Sequence, residues 1–450
     1  MSDKKQFYKQ LFALVLPIAF QNFMNAAVSA SDALMLGVLN QESLSAVSLA
    51  SQISFVQQLF LVALTIGTTI LAAQYWGKGD RRAVSRIFSH VLRISVAISM
   101  VFFLTTLFFP EFLMKIFTPE QPLIEKGCEY LRVVGISYLL SGISQIYLCI
   151  LKNTGKTLQS TFIGSFAMVL NIVLNAVFIY GIGPVPSLGI TGAALATVIS
   201  RFVELSWALA DSSVSERIRP EISSLLHPDK LLAGDFWKYT LPVLGNELAW
   251  GIGFTMYSVI MGHLGNDAVA ANSIATIVKN IIACVCLGIG SGGGILVGNE
   301  LGKGALERAK AYGDRLFSLC IAAGVVSAIV LLACSPIIVH YANLSPTAHH
   351  YLQGMLYLCS YYMVGKSINA TVIAGIFCAG GDSRFGLICD TVNMWCFIVP
   401  AAAAAAFVLH LPVLWVFAII NLDEVSKLPA VIHHYRKYQW VKDLTRQTSP

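Results

Sequence analysis

The sequence predicts an all-α polytopic membrane protein, with twelve transmembrane helices in two pseudo-symmetric six-helix lobes around a central cleft. Three observations carry that prediction. The first is composition: 56% of the residues are apolar and 12% are charged, against about 25% charged in soluble domains, and the mean hydropathy is +0.70. The second is length, because apolar runs recur through the chain at the roughly 18–20 residues that a helix needs to span a bilayer. The third is repetition. A slide of 225 positions lays Pro17 on Pro242, Gly37 on Gly262, Leu44 on Val269, Ala46 on Ala271, Gly67 on Gly292 and Gln74 on Asn299. Gly77-Lys78-Gly79 falls on Gly302-Lys303-Gly304, so the chain is a doubled unit.

The first six spans are expected over about 8–36, 44–76, 86–114, 123–152, 159–182 and 188–211. The second six follow over about 236–262, 268–300, 311–340, 347–380, 384–408 and 411–433. The first segment lacks a small-residue cleavage site and runs past signal-peptide length, so it reads as a retained helix. The one long polar connection covers 211–235. It divides an N-lobe (1–210) from a C-lobe (236–435), with 436–450 as a tail.

Lys and Arg set the expected orientation. Lys78, Arg81, Arg82 and Arg86 follow span 2, Lys152 and Lys156 follow span 4, and Arg201, Arg217, Arg219, Lys230 and Lys238 surround the central loop. Lys303, Arg308, Lys310 and Arg315 follow span 8, Arg384 follows span 10, and Lys427, Arg436, Lys437, Lys442 and Arg446 lie at the end. The opposite side keeps Lys115, Lys126 and Arg132. This bias places both termini, the linker and the tail in the cytoplasm of a bacterial inner-membrane protein. The outer loops (39–43, 181–188, 262–267) are short. The net charge of +6 is thus accounted for by topology, not by nucleic-acid binding.

An even number of spans per unit makes both halves enter the membrane in the same direction, a parallel repeat about an axis along the membrane normal. Two such lobes leave a central cleft, and rocking one against the other alternates its access. Gly37, Gly67, Gly262 and Gly292 suit close helix approach. The ten cysteines are scattered through apolar segments, Cys284-x-Cys286 being the closest pair, and read as small buried hydrophobes.

Asp32 is the site candidate that stands out from residues alone. It lies inside the apolar run Leu11–Val47, and the repeat puts Tyr257 at its counterpart, so this carboxylate is not doubled. A bare carboxylate there costs roughly 2.5–3.5 kcal/mol on insertion scales. It has to serve as a proton carrier, a cation ligand or a counter-ion, or be a structural plug satisfied by neighbours. Asn171 and Asn175, spaced i, i+4, share a helix face. With Asp32 and the Thr197 hydroxyl they make an oxygen-only donor set suited to Na⁺.

The set of motifs resembles the multidrug and toxic compound extrusion (MATE) family. It comprises Pro17…Asp32-x-x-x-x-Gly37…Leu44-Ser-Ala-Val47, then Gln74-Tyr-Trp-Gly77-Lys-Gly79. Asn171-Ile-Val-Leu-Asn175-Ala-Val-Phe-Ile-Tyr-Gly181 and Gly189-Ile-Thr-Gly192-Ala-Ala-Leu-Ala-Thr197 complete it, with the span 7–8 echoes in the second half. The resemblance covers about residues 5–435 and implies a two-lobed exporter driven by inward flow of Na⁺ or H⁺, with no other cofactor. Carried over by position, Asp32, Asn171, Asn175 and Thr197 would line the N-lobe cation site. Asn175 departs from members that have a second carboxylate there, which weighs against tight Na⁺ binding.

Glu247, five residues after Pro242, is similar to the span 7 acid of some members. The acid that accompanies it in them on span 10 is missing here, and Lys366 stands close by in sequence, with Lys279 in span 8. Glu247 is therefore either a proton or cationic-substrate site, or half of an ion pair with Lys366 or Lys279. Asp390 reads as a structural partner for a basic group, and Arg201 and Glu204, at i, i+3, as a local pair. His349 and His350 are a weak metal signal. Gln21, Asn22, Asn25, Asn246, Trp250 and Tyr257 are the expected cleft residues, offered to lipophilic organic cations. Aromatic packing between helices is the competing use of the same side chains.

Three function classes compete. A cation-coupled exporter, acting as a monomer, fits best. A flippase for lipids or lipid-linked oligosaccharides would want a strongly basic cavity, and Lys279, Lys366 and Arg93 are few for that. A membrane enzyme would need a nucleophile motif or metal cluster, and the chain has no G-x-S-x-G and no C-x-x-C. The glycine run 290–294 lies inside a predicted span, where close packing explains it better than phosphate binding.

Overall fold

The computed structural model describes residues 3–39, 41–182, 186–213, 218–226, 229–342 and 344–446. Parts of the outer loops at 40 and 183–185, as well as Arg217, lie outside them. Helices account for nearly all of the described chain. The first half holds α1 (Asp3–Leu39), α2 (Gln41–Lys78), α3 (Arg81–Phe108), the short α4 (Pro110–Phe117), α5 (Gln121–Asn153), α6 (Thr157–Tyr180) and α7 (Gly189–Ser212). A single turn, α8 (Ile222–Leu226), occupies the linker.

The second half begins with α9 (Lys230–Gly262), α10 (Asn266–Gly302), α11 (Leu306–Tyr341) and α12 (Pro346–Asn369). α12 runs on through a π-helical stretch, Ala370–Phe377. α13 (Ser383–Val392) and α14 (Val399–Ala403) are joined by a second such stretch, and the chain closes with α15 (Val413–Asn421), α16 (Asp423–Ser426) and α17 (Leu428–Tyr435). Among the described residues twelve membrane helices can be traced, each broken run counted once, as the apolar runs predict. Among the described residues nine are long and apolar enough to be recognised by those criteria alone. α9, α12 and the α15–α17 run make up the remainder; each carries charged residues, Glu247, Lys366 and Asp423 among them. The last span, expected as one helix over 411–433, is broken into three.

Contacts divide the chain into two compact units. One comprises 1–22, 69–79 and 237–450, and the other 23–68 and 80–236. The division therefore runs through α1 and α2, not only through the linker. In the first unit α10 is the axis. Gly292 packs on Leu14 and Val15 of α1, a Cβ on Gly290 would overlap the Ala370 carbonyl, and a Cβ on Gly375 would overlap the Gly290 carbonyl. The glycine run is thus a packing surface. Gly262, the repeat mate of Gly37, offers a Cβ nothing within 4 Å, so close approach does not explain that position.

The echoed ends of α2 and α10 cross reciprocally. A Cβ on Gly77 would overlap the Asn299 backbone, and a Cβ on Gly302 would overlap the Gln74 backbone. These are the positions that the 225-residue slide exchanges. The residues after α17 fold back onto this crossing instead of trailing away. Trp440 is fully buried in a notch lined by Gly313 and Gly380. Gln74 Nε2 donates to Ala379 O (2.7 Å) and Lys442 O (3.2 Å), and its Oε1 accepts from Leu444 N (2.7 Å).

Candidate functional site

Each unit holds a cluster of polar groups inside its membrane helices. In the second unit α1, α6 and α7 bring together the four residues of the expected cation site. Asn175 and Asn171 share a face of α6, which stops at Gly181 in the left-handed region (φ 74°). Asn175 Nδ2 donates to Asp32 Oδ1 at 2.6 Å and to Asn171 Oδ1 at 3.3 Å. Asn171 Nδ2 reaches Thr197 Oγ1 at 3.3 Å, and that hydroxyl donates to Ala193 O at 3.0 Å. Both asparagines are buried, and Asn175 Oδ1 is a buried oxygen with no partner.

The chemistry of this cluster follows from its donors. Asp32, a carboxylate on a membrane helix, is held by an amide, and a proton or a small cation is the chemistry such a group can bind. Asp32, the two amide carbonyls and the Thr197 hydroxyl are all hard oxygens, and one of them is orphaned. That set fits Na⁺ in kind, with a single formal negative charge to hold it.

The first unit holds a more heavily charged cluster, built by α9, α12, α13 with the π-helical stretch after it, α16 and Lys427, which caps α17. Lys366 Nζ lies 3.1 Å from Glu424 Oε1, and Lys427 Nζ lies 2.7 Å from Asp390 Oδ1 and 3.3 Å from Glu424 Oε2. Asn369 Nδ2 donates to Glu424 Oε2 (2.7 Å) and Asn393 Nδ2 to Asp423 Oδ1 (2.8 Å). Asn246 Nδ2 donates to Asp390 Oδ2 (3.1 Å). Asp390 therefore is the partner of a basic group, as its position suggests.

For Glu247 one of the two expected uses falls away. Its expected ion pair with Lys366 or Lys279 does not form: Lys366 is taken by Glu424, while Lys279 donates to Asn421 (3.3 Å) and sits over the Tyr362 ring (4.2 Å). Glu247 makes no ion pair among the described residues. Lys427 is a correction, since it is buried at 7% exposure and not part of an exposed basic end. Glu424, Asp423 and Lys427 are the cluster members that the sequence reading missed. Their signal was the charged run Asn421-Leu-Asp-Glu-Val-Ser-Lys427 inside an otherwise apolar span.

The remaining expected cleft residues divide between the units. Gln21 and Asn22 fall in the first unit and Asn25 in the second. Gln21 is buried with its Oε1 unpaired. Trp250 stacks on Phe254, at 5.4 Å between centroids. Tyr257, the repeat mate of Asp32, packs against the apolar core around Met261 and Ala275 with its hydroxyl buried and unpartnered.

Comparison with known proteins identifies the family. The MatE family model matches residues 17–177 and 242–415, one block in each half of the repeat and together well over half of the chain. The chain belongs to the MatE family. Among similar MatE relatives is an uncharacterized transporter, YisQ, of Bacillus subtilis, 21% identical over 434 residues, covering 96% of this chain and 95% of that one. A probable multidrug resistance protein NorM of Deinococcus radiodurans is 25% identical over 410 residues, covering 86% of each chain. A solved outward-facing multidrug resistance MATE family transporter of the MOP superfamily superposes with a TM-score of 0.86 at 18% identity, covering 96% of both chains. The chain is accordingly a multi-pass MatE transporter with the fold expected from its repeat.

Proposed function

We propose that this protein is a secondary exporter of small organic compounds from a bacterial cytoplasm, driven by inward movement of H⁺ or Na⁺ through binding at Asp32. The observation that carries the reading is the Asp32–Asn175 contact: a half-buried carboxylate on a membrane helix, held at 2.6 Å by a neutral amide. Relatives named as multidrug resistance proteins support a toxic-compound cargo. Alternating access of the two halves supplies the cycle. Asp32 binds the ion when one side is open and releases it when the other is, while the cargo moves in the opposite sense.

The cargo of this reading is a lipophilic organic cation. Aromatic faces such as the Trp250–Phe254 stack attract such ions. Glu247, left without an ion pair, supplies a negative charge for a cationic cargo or for a second proton. The flippase reading is weakened by the same cluster, because Lys366 and Lys427 are already neutralised by Glu424 and Asp390 and offer little to a pyrophosphate.

The test is efflux of a fluorescent lipophilic cation from proteoliposomes under a Na⁺ gradient or a pH gradient applied separately. Export driven by one gradient in wild type and lost in Asp32→Asn supports the assignment. Loss only in Glu247→Gln would move the coupling site to the other cluster. Absence of export under both gradients, with well-folded protein, would favour a flippase.

A further inference from the structure

The segment after α17 is held the way a groove holds an extended peptide. Residues 441–446 lie outside any helix, and α2 contacts their backbone at every second residue. Gln74 Nε2 donates to Lys442 O (3.2 Å), and its Oε1 accepts from Leu444 N (2.7 Å). Tyr75 Oη accepts from Arg446 N (3.2 Å), and Lys78 Nζ donates to Arg446 O (2.6 Å). Contacts at 442, 444 and 446 follow the period of an extended strand, while 74 and 78 stack at i, i+4 on α2 with 75 beside them. Main-chain hydrogen bonds supply affinity in such binding, and side-chain pockets supply selection. Here glycines make the pockets. The Trp440 indole lies on Gly313 of α11, the Trp440 carbonyl on Gly380 and the Leu444 side chain on Gly381, each so close that a Cβ on the glycine would overlap it. Trp440 Nε1 is buried without a partner, so the indole is held by shape.

The groove belongs to one half of the repeat. The 225-residue slide puts Asn299, Glu300 and Lys303 of α10 at the places of Gln74, Tyr75 and Lys78. There Lys303 Nζ closes on Glu300 Oε1 at 2.6 Å, and Asn299 Oδ1 is a buried oxygen without a partner. Among the described residues, then, the α2 set is the one turned to a peptide. The approach to the groove is strained. Tyr438 is a non-glycine residue in the left-handed region (φ 50°), pinned by its hydroxyl on Asp314 Oδ1 (3.0 Å) and by Lys310 Nζ over its ring (4.1 Å). Strain of this kind persists only where neighbours enforce it, so the bound segment is loaded towards release. All these residues lie in one compact unit, yet α2 begins in the other (41–68). Chain continuity passes any displacement of that part of α2 to the end that the segment ties down.

We propose that residues 440–446 are a releasable strap. Bound to the groove on α2, they tie the α2 end to α11 and to the end of the α12 run, hold shut the α2–α10 crossing at Gly77 and Gly302, and brake transport. The brake rests on the exporter reading, whereas the strap stands on its contacts alone. Release exchanges the four main-chain hydrogen bonds for water, frees Tyr438 from its strained conformation and leaves the end of α2 to part from α10.

The experiment applies three measurements to the full chain. They are chymotryptic cleavage after Trp440 in detergent, modification of Asn299→Cys by a polar maleimide resolved by mass, and the initial rate of gradient-driven export of a fluorescent lipophilic cation from proteoliposomes. Leu444→Pro removes the N–H given to Gln74 and the side chain seated on Gly381, and leaves every helix residue in place. It raises cleavage roughly tenfold, makes the thiol of Asn299→Cys several-fold more reactive and speeds export. Gln74→Ala acts in the same direction from the groove side, and should it fail to fold, Leu444→Pro decides. Trp440→Phe stays near wild type, because the indole N–H has no partner to lose. Unchanged cleavage in Leu444→Pro overturns the strap. Faster cleavage with an unchanged thiol, or with export no faster than that of an active wild type, makes the segment a passive prop and overturns it equally. Faster cleavage and a reactive thiol in a protein that exports no cation even as wild type support the strap and refute the exporter reading.

Discussion

Replacing Glu424 by Gln tests whether the charged cluster of the first unit holds α12 and the α15–α17 run together. Glu424 is 4% exposed and receives Lys366 Nζ at 3.1 Å, Lys427 Nζ at 3.3 Å and Asn369 Nδ2 at 2.7 Å. Glutamine keeps the shape but strands Lys366, whose carboxylate partner is Glu424, whereas Lys427 retains Asp390 at 2.7 Å. Breaking a buried pair from one side costs about 3–5 kcal/mol, and the reserve partner of Lys427 puts this case near the lower end. For a chain this long that corresponds to a fall of roughly 3–6 °C in apparent Tm. Cys286, Cys320 and Cys359 are fully buried, so with the other seven cysteines replaced by Ser a thiol-reactive dye in a thermal ramp reads the unfolding of this unit. Adding Lys366→Met should restore most of the loss, since an apolar replacement of both partners leaves no uncompensated charge. A single variant as stable as wild type, or a double variant no better than the single, would refute the reasoning.

Three further outcomes follow from the same geometry. Gly302→Ala drives a Cβ into the Gln74 backbone, so the crossing of α2 and α10 must separate, and a cysteine placed by Asn299→Cys should become several-fold more reactive to a polar maleimide in that background. Trp440→Ala empties a fully buried notch and should cost about 3–5 kcal/mol, read as a lower Tm and faster proteolysis of the last residues. Asn175→Asp supplies a second carboxylate to the Asp32 cluster and should lower the Na⁺ concentration for half-maximal export by about tenfold, measured in proteoliposomes at fixed pH.

The fold was legible because bilayer length and the 225-residue echo are properties of the sequence that no tertiary contact can override. Asp32 was legible for the same reason, as a carboxylate in an apolar run without a repeat mate. Its partners followed from i, i+4 spacing on α6, where helix geometry alone puts two amides on one face. Glu247 stood between two uses because residue identities alone do not say which lysine meets which acid: Lys366 reaches Glu424, 58 residues away, across the α12–α16 contact. The cluster itself was hidden by the break of the last span into α15, α16 and α17, which turns Asp423, Glu424 and Lys427 inward where an unbroken helix end would have met water. The division into units was not legible either. α1 and α2 change packing partners part-way along their length, and hydropathy carries no record of which helix lies opposite.

The most direct test of the account is ion movement driven by the cargo itself. Proteoliposomes loaded with a lipophilic cation, carrying pH- and Na⁺-sensitive dyes and held without an ion gradient, are diluted so that the cargo gradient is the sole driving force. The account predicts opposite movement of protons or Na⁺ in step with cargo efflux in wild type, and none in Asp32→Asn. Cargo efflux without ion counter-movement in wild type, or ion movement unchanged in Asp32→Asn, would contradict it.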